Sequence, residues 1–194
     1  TYDMAKTLGL AAPLYNYAQI TKNGEYFGCY LALEPVDKDF CERNFGSSNG
    51  ALYAPTEYGE GQRGGSLNYL GDSVDKYTEL FEDTGFGSTS KKKVQVIEAL
   101  KAVHDGEDIE SKVDVENVLK FMALQTVAVN LDSHTGKSGH NTFLYVDGGM
   151  IHLIPWDYNL AYGLFVDDEE TGEDEEALFE GMDIDWETIS EEEL

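Results

Sequence analysis

Asp132, Asn141 and Asp157 have the residue types and chain order that phosphoryl transfer requires. One carboxylate must orient an attacking hydroxyl and accept its proton. A second carboxylate and an amide oxygen must hold magnesium against the phosphates. Asp132 opens the run Asp132-Ser133-His134-Thr135-Gly136-Lys137-Ser138-Gly139-His140-Asn141, and Asp157 lies in Pro155-Trp156-Asp157-Tyr158-Asn159. Between these runs, 142–146 and 150–154 read as strands joined by Asp147-Gly148-Gly149, a tight-turn signal. A hairpin brings its ends together, so Asn141 and Asp157 are expected as neighbours. Asp132, at the start of the same loop, is expected to face them.

The elements that must position these groups follow from local chemistry. Asp114 can cap a helix with Val115, Val118, Leu119, Met122 and Ala123 at helical spacing, ending near Asn130 and delivering the loop with Asp132. Ser88-Thr89-Ser90 can cap an earlier helix over 91–104, with Val94, Ile97, Ala99 and Leu100 apolar, and Asp105-Gly106 breaks it. Nearer the start, 3–8 reads as the end of a helix closed by Gly9. Strand-favouring residues over 13–20 and 26–33 flank Asn23-Gly24, a strong hairpin signal. Asp37 opens a short helix carrying Phe40 and Cys41 that closes near Gly46, and 47–71 reads as loop with short strands. A strand-rich part thus precedes a helical part with one embedded hairpin, which indicates α+β with two lobes or subdomains.

Protein kinases place a helix, a catalytic Asp, an Asn, a strand hairpin and a metal-binding Asp in this order, and this chain does so with looser spacing. Other readings stay open at this level. An Asp after a helix is often a cap, and Trp-Asp-Tyr-Asn can be only a turn. A hydrolase using Asp132 and Asp157 as paired carboxylates would show the same residues, provided the two titrate apart.

The bulk composition narrows the partners. A chain of 194 residues is long enough for one sizeable core or two small lobes, and its 12% aromatic content marks a folded globular protein. A net charge of −25 repels nucleic acid and anionic membranes, and no apolar run reaches the roughly 18–20 residues of a membrane span. The acidic run 167–176 fails as an EF-hand loop. A register starting at Asp167 puts Gly172 correctly at the sixth position, but Leu178 at the twelfth, where a bidentate Glu is needed. The segment 166–194 reads as an acidic loop or tail continuing into the C-terminal part of the domain. Cys29 and Cys41 read as buried thiols, with mutual pairing undecided. His134 and His140 lack a third zinc ligand at recognisable spacing and read as loop histidines, one of them a possible nucleotide contact. Tyr15, Tyr17, Tyr26 and Tyr30 are expected to pack in or beside the sheet. The first residues show neither an initiator Met nor a signal-peptide pattern, so the chain reads as a piece of a longer protein.

Two separated stretches carry a family resemblance. The run from Asp132 to Asn141, with Ile154-Pro155-Trp156-Asp157-Tyr158-Asn159-Leu160-Ala161-Tyr162-Gly163, resembles the core motif of the CotH kinase family. Asn23-Gly24-Glu25-Tyr26-Phe27-Gly28-Cys29-Tyr30 resembles the family's turn-and-strand segment. Glu34, Val36-Asp37-Lys38, Phe40, Asn44-Phe45-Gly46 and Gly50-Ala51-Leu52-Tyr53 continue the match. The resemblance covers roughly residues 2–163, and the domain it implies is 1–165. It implies an atypical secreted protein-kinase-like fold that uses ATP and magnesium or manganese to phosphorylate Ser on a protein substrate, in an extracellular, cell-surface or spore-coat setting. By position, Asp132 would be the catalytic acid/base residue, and Asn141 and Asp157 the metal ligands. Trp156 would lie near the adenine, unless it is simply a core Trp, and Glu34 would order the nucleotide end, unless it only pairs with a neighbouring cation. The chain departs from the family at Ala54, where a Lys usually follows the Leu-Tyr pair. The cations that could meet phosphate are then Lys38, Arg43 and Arg63, or a basic region that family members carry upstream. A non-catalytic binding or assembly module is the alternative that Ala54 and the acidic surface favour.

Overall fold

The computed structural model describes residues 1–55, 67–82, 84–136 and 139–165. The acidic run and Arg63 lie outside the described residues. The chain begins with α1 (Tyr2–Thr7), β1 (Tyr15–Lys22), β2 (Glu25–Leu33), α2 (Lys38–Phe45) and β3 (Ala51–Tyr53). It continues through a 3-10 turn (Val74–Tyr77) into α3 (Thr78–Glu82), β4 (Thr84–Phe86) and α4 (Ser90–Asp105). A second 3-10 turn (Ile109–Ser111) leads to α5 (Val115–Val127), and β5 (Thr142–Asp147) and β6 (Met150–Pro155) complete the described elements. The α+β expectation holds at the level of a mixed fold with small sheets and several helices.

The expected helix starts have the anticipated caps. Asp37 accepts hydrogen bonds from the backbone N–H of Asp39 and Phe40, Thr89 from Lys92 and Asp114 from Asn117. Each satisfies a backbone donor that the first helical turn would otherwise leave open. Gly46 and Gly106 end α2 and α4 in the left-handed conformation that glycine adopts without a Cβ penalty.

β4, β3, β5 and β6 form an antiparallel sheet in that order, and alternation divides its side chains between two cores. Ala51, Tyr53, Leu144, Val146, Ile151 and Leu153 face α1, α4 and α5. Leu52, Tyr145 and Ile154 face α2, where Phe40 and Cys41 are fully buried. Because β3 is an interior strand, the strand-rich and helical halves of the chain both contribute to this sheet.

Three expectations change at the level of packing. On α5, Phe121 and Leu124 form the buried stripe, whereas Leu119 is 64% exposed and Met122 also faces outward. Helical spacing fits more than one stripe, and contact with the sheet selects between them. On α4, Val94 is exposed, and Val96 and Ala102 join Ile97, Ala99 and Leu100 in the core. The β1–β2 hairpin forms a separate two-stranded sheet with little burial on either face, so Tyr17 and Tyr26 are 73% and 65% exposed. Both cysteines are free thiols, Cys41 buried and Cys29 exposed.

The edge of β6 is sealed by the start of α5. Asn117 donates from Nδ2 to the carbonyl of Leu153 (3.1 Å), and its Oδ1 accepts from the Leu153 N–H (2.8 Å). Ile151 exchanges backbone bonds with Lys112 and Asp114. One amide side chain thus stands in for a missing strand neighbour and fastens α5 to the hairpin.

Candidate active site

The end of α5 and the open end of the β5–β6 hairpin converge through backbone contacts. Thr142 pairs with Pro155, so Asn141 and the segment entering Asp157 leave the sheet at the same end. The stretch after Asp157 then returns to α5. Tyr162 N–H donates to the carbonyl of Ala128 (2.6 Å), and Gly163 N–H to that of Val129 (3.4 Å). These bonds bring the loop that follows α5 beside the loop that carries Asp157.

Strain accumulates in these loops. Val129, Asn141, Asp157 and Tyr162 all have positive φ, with values of 47°, 57°, 47° and 62°. Asn and Asp tolerate that region, but a β-branched Val reaches it only where the surroundings impose it. Such conformations persist at sites whose geometry is over-determined. Gly136 shows the same constraint sterically, since a Cβ there would lie 1.6 Å from the carbonyl oxygen of Leu131. Its N–H donates to Ser133 (2.8 Å), folding the loop tightly after Asp132.

Asp132 is 6% exposed and held from both sides. Asn141 Nδ2 donates to its carbonyl oxygen (2.7 Å) and to its Oδ2 (2.9 Å). His140 Nε2 lies 2.8 Å from Oδ1. Both partners of the Asn141 amide on this side are acceptors, so its nitrogen must face Asp132 and its oxygen must face away. His140, read from sequence as a loop histidine, is therefore a direct neighbour of the candidate catalytic carboxylate. The adjacency of His140 and Asn141 in the chain was the available signal, but spacing alone could not show that the loop folds back.

Asp157 sits in a half-buried turn in which its Oδ1 accepts weakly from the Asn159 N–H (3.4 Å). α1 packs beside it. Burial, together with the Asp157 charge, pushes the Tyr2 hydroxyl up to about 12, against a lowering by the nearby Asp157 backbone. The Tyr2 ring meets Tyr158 edge-on at 5.8 Å. Beneath, burial raises the Tyr158 hydroxyl well above the usual phenol range, against a smaller lowering by the neighbouring Gln125 amide. Both phenols therefore remain protonated near neutral pH.

The remaining sequence candidates fall elsewhere in the contact network. Trp156 is half-buried and packs edge-on against Phe143 at 5.5 Å. Glu34 accepts from Leu14 N–H (2.8 Å) and is paired with Arg43, which also donates to the carbonyl of Ala12 (3.3 Å). This clasp joins the strands β1 and β2 to α2 and occupies one of the proposed phosphate cations. Lys38 lies over the Phe86 ring at 5.8 Å. His152 pairs with Asp114 (3.1 Å), and burial holds its imidazole below the usual histidine range despite that carboxylate. Among the described residues no three His, Cys, Asp or Glu groups cluster to hold a metal. The metal-ligand candidates are instead a mixed pair, the Asp157 carboxylate and the amide oxygen of Asn141, hard oxygen donors of the kind magnesium prefers.

Fold and site together define a mixed α+β domain in which a buried Asp, an Asn and a second Asp are drawn to one end of a β-hairpin. The chain belongs to the CotH kinase protein family, which it matches over residues 1–191. It is 26% identical over 184 residues to the inner spore coat protein H of Bacillus subtilis (strain 168), a match covering 89% of this chain and 48% of that protein. The chain thus spans about half the length of this curated relative.

Proposed function

We propose that this chain carries the catalytic and metal-binding end of a kinase-like phosphotransferase that moves the γ-phosphoryl group of ATP to Ser on a spore-coat, surface or secreted protein. Family membership supports the reaction class, and the relative's name supports the coat setting. The observation that carries the reading is the pairing of Asn141 with Asp132, which turns the Asn141 amide oxygen away from that carboxylate, where it would serve as a ligand atom.

Asp132 would orient the Ser hydroxyl and take its proton. Asp157 and Asn141 Oδ1 would hold magnesium or manganese, whose charge would neutralise the phosphate oxygens during transfer. Trp156 offers an aromatic face to a nucleotide base, and Glu34 would act indirectly by fixing Arg43 and the start of β1. No helix among the described residues is long and apolar enough to cross a membrane.

A second reading, a non-catalytic assembly module with the same fold, is favoured by Ala54 and by the engagement of Arg43 with Glu34. The two separate in one assay. The full-length protein is mixed with labelled ATP and magnesium or manganese, and wild type is compared with Asp132→Ala and Asp157→Ala. Phosphate incorporation by wild type and its loss in both variants is the expected result. A folded wild type that incorporates nothing would sink the phosphotransferase reading.

A further inference from the structure

We infer that His140 is a positioning residue for phosphoryl transfer, holding the Asp132 carboxylate in its working orientation through a hydrogen bond from Nε2. The inference rests on the phosphotransferase reading above and extends it to a side chain that reading does not require.

The geometry is a two-sided grip. His140 Nε2 stands 2.8 Å from Oδ1 of Asp132, and Asn141 Nδ2 stands 2.9 Å from Oδ2. An ionised carboxylate accepts and cannot donate, so the proton in the first contact belongs to Nε2. Consecutive residues thus reach back across the loop and bond different oxygens of one group. A carboxylate bonded through one oxygen can still turn about its terminal torsion, whose energy wells are broad. Bonded through both, it is fixed in plane and direction. The Asn141 amide is fixed at the same time, because its nitrogen has Asp132 as its target.

His140 is well placed to keep this grip. Gly139 before it is buried and takes a left-handed φ of 66°, a turn that a Cβ would strain. The next residue but one, Thr142, begins β5, so the imidazole springs from the root of a strand embedded in the core. A group anchored in this way orients a reacting residue better than one on a free loop.

The role predicts a specific pattern in the full-length protein. His140→Leu removes the donor while keeping an apolar side chain of comparable size. It should lower kcat by about 10- to 100-fold, the range expected when a reacting group is misplaced by an ångström or less, with the KM for ATP within about threefold. His140→Gln places an amide nitrogen near the Nε2 position and should recover most of the loss. Independently of activity, the imidazole proton on Nε2 of His140 should give a resolved resonance in wild type that disappears in Asp132→Ala. Absence of that resonance from the folded wild type overturns the inference, as does its persistence in Asp132→Ala. Equal defects in His140→Leu and His140→Gln, or wild-type kcat in His140→Leu while Asp132→Ala is inactive, overturn the role of His140 alone. Transfer that survives Asp132→Ala overturns the phosphotransferase reading itself, a case distinguished by an imidazole resonance that is still lost in that variant.

Discussion

The protein contains two antiparallel hairpins with similar sequence signals and opposite surroundings. β1–β2 turns at Asn23-Gly24 and β5–β6 at Gly148-Gly149, and both are rich in aromatic and β-branched residues. β5–β6 is embedded between β3 and the start of α5, with helices over both faces, and nearly every inward side chain is buried. Among the described residues β1–β2 pairs only with itself, and it exposes Tyr17, Tyr26 and Leu31. A two-stranded ribbon in water is marginal unless something packs on it. Strand-forming residues and a good turn therefore make a hairpin, but neighbours decide whether it becomes a scaffold. The candidate site is built on the scaffold hairpin.

The comparison is most sharply tested by deletion of matched side chains. Leu144→Ala in fully buried β5 should cost about 2–5 kcal/mol, the usual range for a core leucine that leaves a cavity. Leu31→Ala, at a β2 position 49% exposed, should stay within about 0.5 kcal/mol. Urea unfolding of the two variants measures both, and similar losses would mean that β1–β2 is as deeply packed as β5–β6.

A smaller effect should follow from unsealing the β6 edge. Asn117→Ala removes both partners of Leu153 and should cost about 1–3 kcal/mol, the penalty for leaving buried backbone groups unpaired. Amide exchange should accelerate at Leu153 and leave the β1–β2 amides unchanged. Acceleration in both hairpins alike would show that they open as one unit.

The acid response should also belong to β6. Burial holds His152 below the ordinary histidine range, outweighing the Asp114 and Asp147 charges that raise it. The unfolded chain therefore takes up this proton more readily than the folded one. The His152 contribution is complete above the unfolded histidine value and is lost as pH falls through that value toward the lower folded one. His152→Gln should flatten the stability profile between about pH 7 and pH 5, relative to wild type. An unchanged slope would remove His152 as its source.

The mildest test is chemical. Cys29 is exposed on β2, whereas Cys41 lies under the sheet with its thiol pushed up to about 12, chiefly by burial. A thiol reagent at neutral pH should modify Cys29 rapidly and Cys41 only on unfolding, because the thiolate is the reactive form. Mass spectrometry of the labelled peptides distinguishes the two, and equal rates would contradict the packing of α2 against the sheet.

Much of the secondary structure was legible because its signals are local. Asp37, Thr89 and Asp114 cap helices with their own side chains, and Gly46 and Gly106 end them. The stripe on α5 was less legible, because Val118 and Leu119 are both apolar and only the sheet selects between the faces they begin. The short strands β3 and β4 have three residues each, too few for alternation to declare itself. At the site, the shared hairpin end of Asn141 and Asp157 could be anticipated from the turn. The His140 contact could not, since it depends on how a Gly-rich loop folds back on itself, with Gly136 closed against the Leu131 carbonyl.

The sequence by itself determined the family, the hairpin turns, the capped helices and the order in which Asp132, Asn141 and Asp157 meet the chain. These follow from motif residues and from interactions among residues a few positions apart. Only the tertiary structure decided that β3 joins β5, that α5 seals the β6 edge through Asn117, and that Asp132 is gripped by His140 and Asn141 together. Those outcomes depend on which apolar faces exclude water jointly and on which buried polar groups find partners across the fold. Neither is a property of any single stretch of chain.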